Sequence, residues 1–357
     1  MAAERAPATR VVHAGLRAAA QGEPFLPGPT FAAPYHLAGE IDASPWGYGR
    51  HANPTIEAYE AALGELEGGE ALAFSSGMAA VTAALLPALR PGDVLVAPSD
   101  AYPGVRAIAE EHLRPRGVEV RLVPTDEEAI REALPGATAV WVETPSNPLL
   151  DVIDVAPLAR DVHAAGALLA VDATLATPLR LRPLELGADL SVASASKGLT
   201  GHSDLILGYL AARDGALAAR ARTWRETTGA LPGPFEAWLA HRSLATLEVR
   251  LARAEANARA LYRALEARDD VTGVRWPGLG PVLSFDVGEA SRAQAFLAAC
   301  ELLAEATSFG GVHASAERRV RWGTDAVEEG FIRLSAGIED AADLVADVER
   351  ALDSSTG

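Results

Sequence analysis

Between residues 55 and 171, short apolar runs, all but one of them uninterrupted by charge, alternate with stretches of helical periodicity, and this alternation constrains the fold more than any other feature. The runs are "ALAF" 71–74, "VLVA" 94–97, "VEVRLV" 118–123, "AVWV" 139–142 and "ALLAV" 167–171; the helical stretches are 55–67, 78–89, 104–116 and 155–165. A strand with one wet face alternates apolar and polar residues, whereas a strand apolar throughout has both faces covered. The pattern predicts an α/β fold with a mostly parallel central sheet sandwiched between helices.

Outside this region the texture differs. Residues 1–54 are rich in Gly, Pro and Ala with little periodicity, and read as an extended arm lying on another surface such as a partner subunit. After "GALPGP" 229–234, residues 235–267 carry one long helical pattern, with Leu247, Leu251, Ala254, Ala258, Leu261 and Leu265 on one face. Beyond it come a strand "VLSFDV" 282–287, a helix near 291–304 and a strand "FIRLS" 331–335. The expected organisation is an arm (1–54), a large domain (55–230) and a smaller C-terminal α+β domain (231–357).

Composition narrows the function classes. The 357 residues are 49% hydrophobic and 22% charged, ordinary for a globular chain, and the net charge of −17 argues against a nucleic-acid partner. No apolar run is long enough to span a bilayer and the start lacks a signal-peptide core, so a cytoplasmic protein with no membrane partner is expected. Cys300 is the one cysteine, which excludes an intrachain disulfide and a cysteine metal cluster; a buried structural thiol is expected, and no metal site.

In open parallel sheets, ligands bind beyond the carboxyl ends of the strands. "ALAF" leads into Ser75, Ser76, Gly77 and Met78; "VLVA" into Ser99, Asp100 and Tyr102; "AVWV" into Glu143, Pro145 and Asn147; "ALLAV" into Asp172 and Thr174; "DLSVAS" into Ser194, Ser196 and Lys197. Lys197 is the only lysine, the other 30 of the 31 Lys and Arg residues being arginine. Arginine serves wherever a fixed charge suffices, but only an amine can shed its proton and act as nucleophile or base.

Each element alone has a plainer reading. "SSGM" before a helix can be an N-cap and a glycine turn, Asp172 a cap, and Tyr102 a packing residue. Together they suit pyridoxal 5'-phosphate, which needs a lysine for a Schiff base, an acid at the pyridine nitrogen, a flat group against the ring and a phosphate cradle at a helix N-terminus.

The chain also resembles the cystathionine γ-synthase/γ-lyase family of fold type I pyridoxal-phosphate enzymes, over nearly its whole length. The matching stretches are "YGRHANPT" 48–55, "AFSSGMAA" 73–80, "ETPSNPLL" 143–150, "VDATLATPL" 171–179, "SASKGLTGHSD" 194–204 and "IRLSAGIEDAADLV" 332–345. The resemblance implies that Lys197 carries the cofactor and shuttles protons, Asp172 pairs with the pyridine nitrogen, and Tyr102 stacks on the ring. It places Ser76, Gly77, Met78, Ser194 and Ser196 at the phosphate, Thr174 beside Asp172, and Asn147 near the ring hydroxyl. Tyr48 and Arg50 match residues that reach a neighbouring subunit's phosphate, which implies a dimer as the smallest active unit and a tetramer as the usual assembly. Arg333 should grip the substrate α-carboxylate as a bidentate fork, with Ser308 and Asn147 near it.

Departures from the family pattern cluster on the distal side of the substrate. Thr30 and Gly47 stand where relatives carry bulkier residues, and His313 replaces a glutamate, which makes it a candidate substrate contact. Gly104 stands where a methionine γ-lyase carries cysteine, "AERRVRWGTD" replaces a different segment, and the stretch before Val282 is shortened. The expected reaction is γ-elimination on a sulfur amino acid, L-cystathionine first. The alternatives are γ-replacement, methionine γ-elimination, a specialised γ-leaving group, and a non-catalytic relative.

Overall fold

The computed structural model describes residues 5–16 and 18–355. Seven strands form the large sheet: β1 (Glu70–Phe74), β2 (Val94–Pro98), β3 (Glu119–Val123), β4 (Ala139–Glu143), β5 (Leu168–Asp172), β6 (Leu190–Ala193) and β7 (Gly208–Ala212). Their spatial order is β1-β7-β6-β5-β4-β2-β3, and only β7 runs against the rest. All five runs are strands, and the sheet is buried on both faces as expected except along the edge strand β3, where Glu119 is exposed and Arg121 only partly buried. In β4, Ala139 and Trp141 point into one core with Leu95 and Val192, while Val140 and Val142 point into another with Val96 and Val171. Each buried Val or Leu among these contributes about 1.5–3 kcal/mol from water exclusion.

A second, five-stranded sheet has the order β10-β11-β12-β9-β8. Its strands are β8 (Thr272–Arg275), β9 (Val282–Asp286), β10 (Ala304–Glu305), β11 (Ser315–Arg318) and β12 (Phe331–Ser335). The helix Ala341–Ser354 packs Leu344, Val348 and Leu352 against this sheet and against Leu261 and Leu265.

Several local expectations need correction. Residues 235–267 are two helices, Pro234–Leu244 and Leu247–Glu266, not one. The break at Ala245–Thr246 has a side-chain cause: Arg250 donates to the carbonyls of Ser243, Leu199 and Gly198, so the Ser243 carbonyl is drawn away from a continuing ladder. The stretch 104–116 is α-helical only over Pro103–Ala107, then widens to a π-helical turn Ile108–Leu113 and tightens over Arg114–Arg116, where Pro115 has no N–H to give. The helix expected over 78–89 ends at Leu85, just before Pro87. That expected near 291–304 is Ala290–Ala299, because the Asp347 carboxylate captures the N–H groups of Glu301 and Leu302.

Strand β7 and the helix Gly215–Thr228 were not read from the sequence. The arm is not wholly extended either. Pro7–His13 is a helix whose Val11 packs in the core, and beyond it the chain is mostly irregular, with one bridge between Pro34 and Tyr48. Residues 1–4 and 17 of the arm lie outside the described residues. Cys300 is half-buried rather than buried; its thiol donates to the Phe296 carbonyl, and burial pushes its pKa up to about 12. No helix among the described residues is long and apolar enough to cross a membrane.

Candidate active site

The carboxyl ends of β1, β2, β4, β5 and β6 open onto a cavity of about 660 Å³, closed on its far side by the 304–315 segment. That volume suits a cofactor-sized ligand. Ser76, Gly77, Met78, Tyr102, Asn147, Asp172, Thr174, Ser194, Ser196, Lys197, Ser308 and His313 all line it. Three expected site residues do not. Arg333 lies behind the wall, while Tyr48 and Arg50 lie elsewhere: Arg50 donates to the Glu226 carbonyl, with its guanidinium 5.5 Å from the Tyr48 ring centre.

One end of the cavity is a helix start. Ser76 caps the helix Gly77–Leu85, its Oγ accepting from Ala79 N (3.0 Å), and the N–H groups of Gly77 and Met78 have no partner among the described residues. A Cβ at Gly77 would fall 2.8 Å from Ser194 Cβ, so glycine is what lets the Ser194 hydroxyl stand against these amides. Free amides, the dipole of the helix and a hydroxyl make an anion cradle. Ser196 is differently placed: its Oγ donates to the Leu207 carbonyl (3.0 Å) and accepts from Leu207 N (2.9 Å), so its hydrogen is already committed.

Thr174 organises the centre. Its Oγ1 donates to Asp172 Oδ1 (2.5 Å) and accepts from Ser194 N (2.9 Å), while its backbone N–H donates to the same Asp172 oxygen (2.9 Å). Burial raises the Asp172 pKa, and these two donors oppose the rise. Across the cavity, Lys197 Nζ donates to Ser308 Oγ (2.7 Å), and the Phe309 ring centre lies 5.3 Å from Nζ. Burial, with Arg333 nearby, lowers the Lys197 pKa, which favours the neutral amine.

Arg333 is 4% exposed and held from three sides. It donates to Asn147 Oδ1 (2.6 Å), to the Ser308 carbonyl (3.0 Å) and to the buried Glu317 carboxylate. Glu317 also accepts from Arg319 (2.6 Å) and Trp322 Nε1 (2.9 Å), and Arg319 in turn pairs with Asp325. The free fork expected for a carboxylate is therefore partly committed to Glu317. Burial and Arg319 push the Arg333 pKa down to about 10.

Chemically, the cavity joins an anion cradle, a buried carboxyl, a flat aromatic side chain and one deprotonatable amine. Comparison with known proteins decides what this serves: the family profile for Cys/Met metabolism PLP-dependent enzymes matches residues 8–353. The chain belongs to this family.

Members of the Cys/Met metabolism family depend on pyridoxal phosphate, and the residues present fit that group. The cradle at Gly77, the carboxyl of Asp172 and the amine of Lys197 would supply one each of the phosphate, ring-nitrogen and aldehyde partners that such a group requires. A Streptomyces coelicolor protein named "Putative cystathionine gamma-lyase" is 52% identical over 98% of this chain and 94% of its own. A Bacillus subtilis member named cystathionine gamma-synthase/O-acetylhomoserine (thiol)-lyase is 35% identical over 90% of this chain and 91% of its own. Among solved structures, CalE6 from Micromonospora echinospora matches with a TM-score of 0.90 and 37% identity over 98% of this chain and all of its own. It is described in one structure as a cystathionine gamma-lyase and in another as a methionine gamma-lyase. These matches also carry the fold type I architecture.

Sequence reasoning missed three residues around the site. Phe309 lines the cavity, with its ring centre 5.2 Å from the Arg333 guanidinium. Glu317 sits in "AERR", where nothing in the sequence marks a buried acid. Glu143 was noted only as a strand end; the signal available was its position directly after an all-apolar run.

Proposed function

We propose that this chain catalyses γ-elimination on a sulfur amino acid, L-cystathionine foremost, consuming water and yielding L-cysteine, 2-oxobutanoate and ammonia. The observation that carries the proposal is one relay through Ser308: its hydroxyl holds Lys197 Nζ at 2.7 Å, and its carbonyl holds Arg333 at 3.0 Å. A proton acceptor and a carboxylate-binding cation are thus fixed relative to each other, as an α-amino acid requires.

When bound, pyridoxal phosphate would act as the electron sink for the pair left by the departing Cα proton. The phosphate would sit on the amides of Gly77 and Met78 with Ser194, and Asp172 would face the ring nitrogen. Lys197 Nζ, biased toward the neutral amine by burial, takes the Cα proton. Asn147, which lines the cavity and is held through its Oδ1 by Arg333 behind the wall, would orient the α-carboxylate, with the Arg333 charge supporting it from behind. Tyr102, which lines the cavity and is 45% exposed, would donate its hydroxyl proton to the leaving sulfur.

The assembly reading is a dimer whose sites are completed by Tyr48 and Arg50 of the neighbour, pairing further into a tetramer. It is supported by those side chains standing away from their own cavity. A cytoplasmic setting fits an enzyme of this family. The three-part division into arm, large domain and C-terminal domain is supported by the two separate sheets.

A second reading is γ-replacement, favoured by the Bacillus subtilis relative's name. A panel of cystathionine, methionine, homocysteine, and O-acetyl- and O-succinylhomoserine with cysteine separates the two. Release of 2-oxobutanoate with cysteine from cystathionine supports elimination. Thioether formation without net 2-oxo acid supports replacement and contradicts the first reading.

A further inference from the structure

Strands β4 and β5 are parallel neighbours, and their register sets Glu143 directly opposite Asp172 at the carboxyl edge of the sheet. Register partners present their side chains on the same face, and both residues line the cavity. Glu143 is 7% exposed, and among the described residues neither carboxyl has a Lys or Arg within ion-pair distance. Two acids side by side in a poorly solvated wall cannot both hold a full negative charge cheaply.

The donors around them show which one ionises. Asp172 accepts two hydrogen bonds on one oxygen, from Thr174 N and Thr174 Oγ1. Glu143 accepts one, from Tyr102 N (3.2 Å), and its other oxygen has no partner among the described residues. From the end of β2, Asp100 adds a further negative charge near Glu143, although its own Oδ1 is engaged by the Thr125 hydroxyl (2.6 Å). From β12, Arg333 is the nearest opposing charge, and it is occupied by Asn147, Ser308 and Glu317. The positive charge of Lys197 acts on Asp172.

We infer that Glu143 is a positioning residue that works as a neutral carboxylic acid: it anchors the backbone of Tyr102, carries the proton of the Glu143/Asp172 pair, and leaves Asp172 as the single carboxylate presented to the cofactor. Burial, Asp172 and Asp100 all act in the same direction, raising the Glu143 pKa. The inference rests on the reading that this cavity holds pyridoxal phosphate.

Glu143→Gln keeps the shape of the protonated acid and its acceptor for Tyr102 N, but removes the option of ionising. The test loads wild type and E143Q with pyridoxal phosphate, and measures the dissociation constant and the pH midpoint of the bound cofactor's absorption band. Because a glutamine matches a neutral acid in charge, the expected E143Q constant lies within about twofold of wild type and the midpoint is unchanged. Removing a genuine negative charge beside Asp172 would shift the midpoint by about one pH unit and the constant by about tenfold, and that result overturns the inference. Glu143→Ala, which deletes the anchor of Tyr102, should lower kcat about tenfold while leaving the midpoint in place; a wild-type kcat in E143A also overturns it. Wild-type protein that takes up no cofactor defeats the cavity reading itself and this inference with it, an outcome distinct from a difference between the two proteins.

Discussion

Ser308 reaches Lys197 with its hydroxyl, at 2.7 Å, from a backbone held at φ 81°. That left-handed conformation costs a residue with a Cβ about 1 kcal/mol or more, and such strain persists where surrounding contacts over-determine it. Here the contacts are the Lys197 amine on one side and Arg333 on the other. Ser308→Gly should relieve the strain, and Ser308→Ala should retain it; both lose the hydroxyl. Both variants are expected to lose about tenfold in kcat. By thermal unfolding, Ser308→Gly should be about 1 kcal/mol more stable than Ser308→Ala.

The single lysine makes its own titration measurable. Reductive methylation of the apoprotein with labelled formaldehyde can place a side-chain label only on Lys197, the α-amino group being resolved separately. Burial and Arg333 lower the Lys197 pKa, so the methyl resonance should titrate below the ordinary lysine value of about 10.4. A midpoint at or above that value would contradict the lowering of the Lys197 pKa by its surroundings.

Glu67 predicts a pH dependence of stability unrelated to catalysis. It is fully buried, accepts from the Tyr209 hydroxyl (2.5 Å), and is raised by burial from 4.5 to about 7. The folded state therefore binds this proton more tightly than the unfolded chain. The associated stability is fully present below about pH 4.5 and is lost as pH rises through about 7, a change on the order of 3 kcal/mol. Glu67→Gln cannot ionise, so its melting temperature relative to wild type should climb across that window and level off above it.

The proposed sharing of active sites between subunits predicts complementation. Lys197→Ala and Arg50→Ala should each abolish or nearly abolish turnover, and mixed oligomers formed by co-refolding should recover part of it, because some sites then contain both native residues. Absence of recovery in verified mixed dimers would place Arg50 outside the neighbour's site.

Much of this site is legible in the chain because its residues come directly after strands that announce themselves. An all-apolar run must be buried on both faces, so the residues just beyond its carboxyl end lie at the sheet edge, and Asp172 and Tyr102 are found there; Lys197 follows the mostly apolar strand β6 in the same way. Relationships set by register are not visible in this way. Glu317 stands opposite Arg333 only through the pairing of β11 with β12, and "SAER" has no apolar run to mark a strand. Likewise the apolar spacing continues through Ala240, Leu244, Leu247 and Leu251, concealing a helix break caused by the reach of the Arg250 side chain. The sequence carries periodicity plainly, but it carries a side chain's competition for a carbonyl only through the finished fold.

The claim beneath every step is that Lys197 is the residue holding the cofactor. Borohydride reduction of the cofactor-loaded protein fixes an imine-linked cofactor covalently, and peptide mass mapping then locates it. The predicted result is a single phosphopyridoxyl group on the peptide containing Ser194, Ser196 and Lys197, and none on the Lys197→Ala protein. A label at the α-amino group alone, or wild-type protein left unlabelled after reduction, would contradict it.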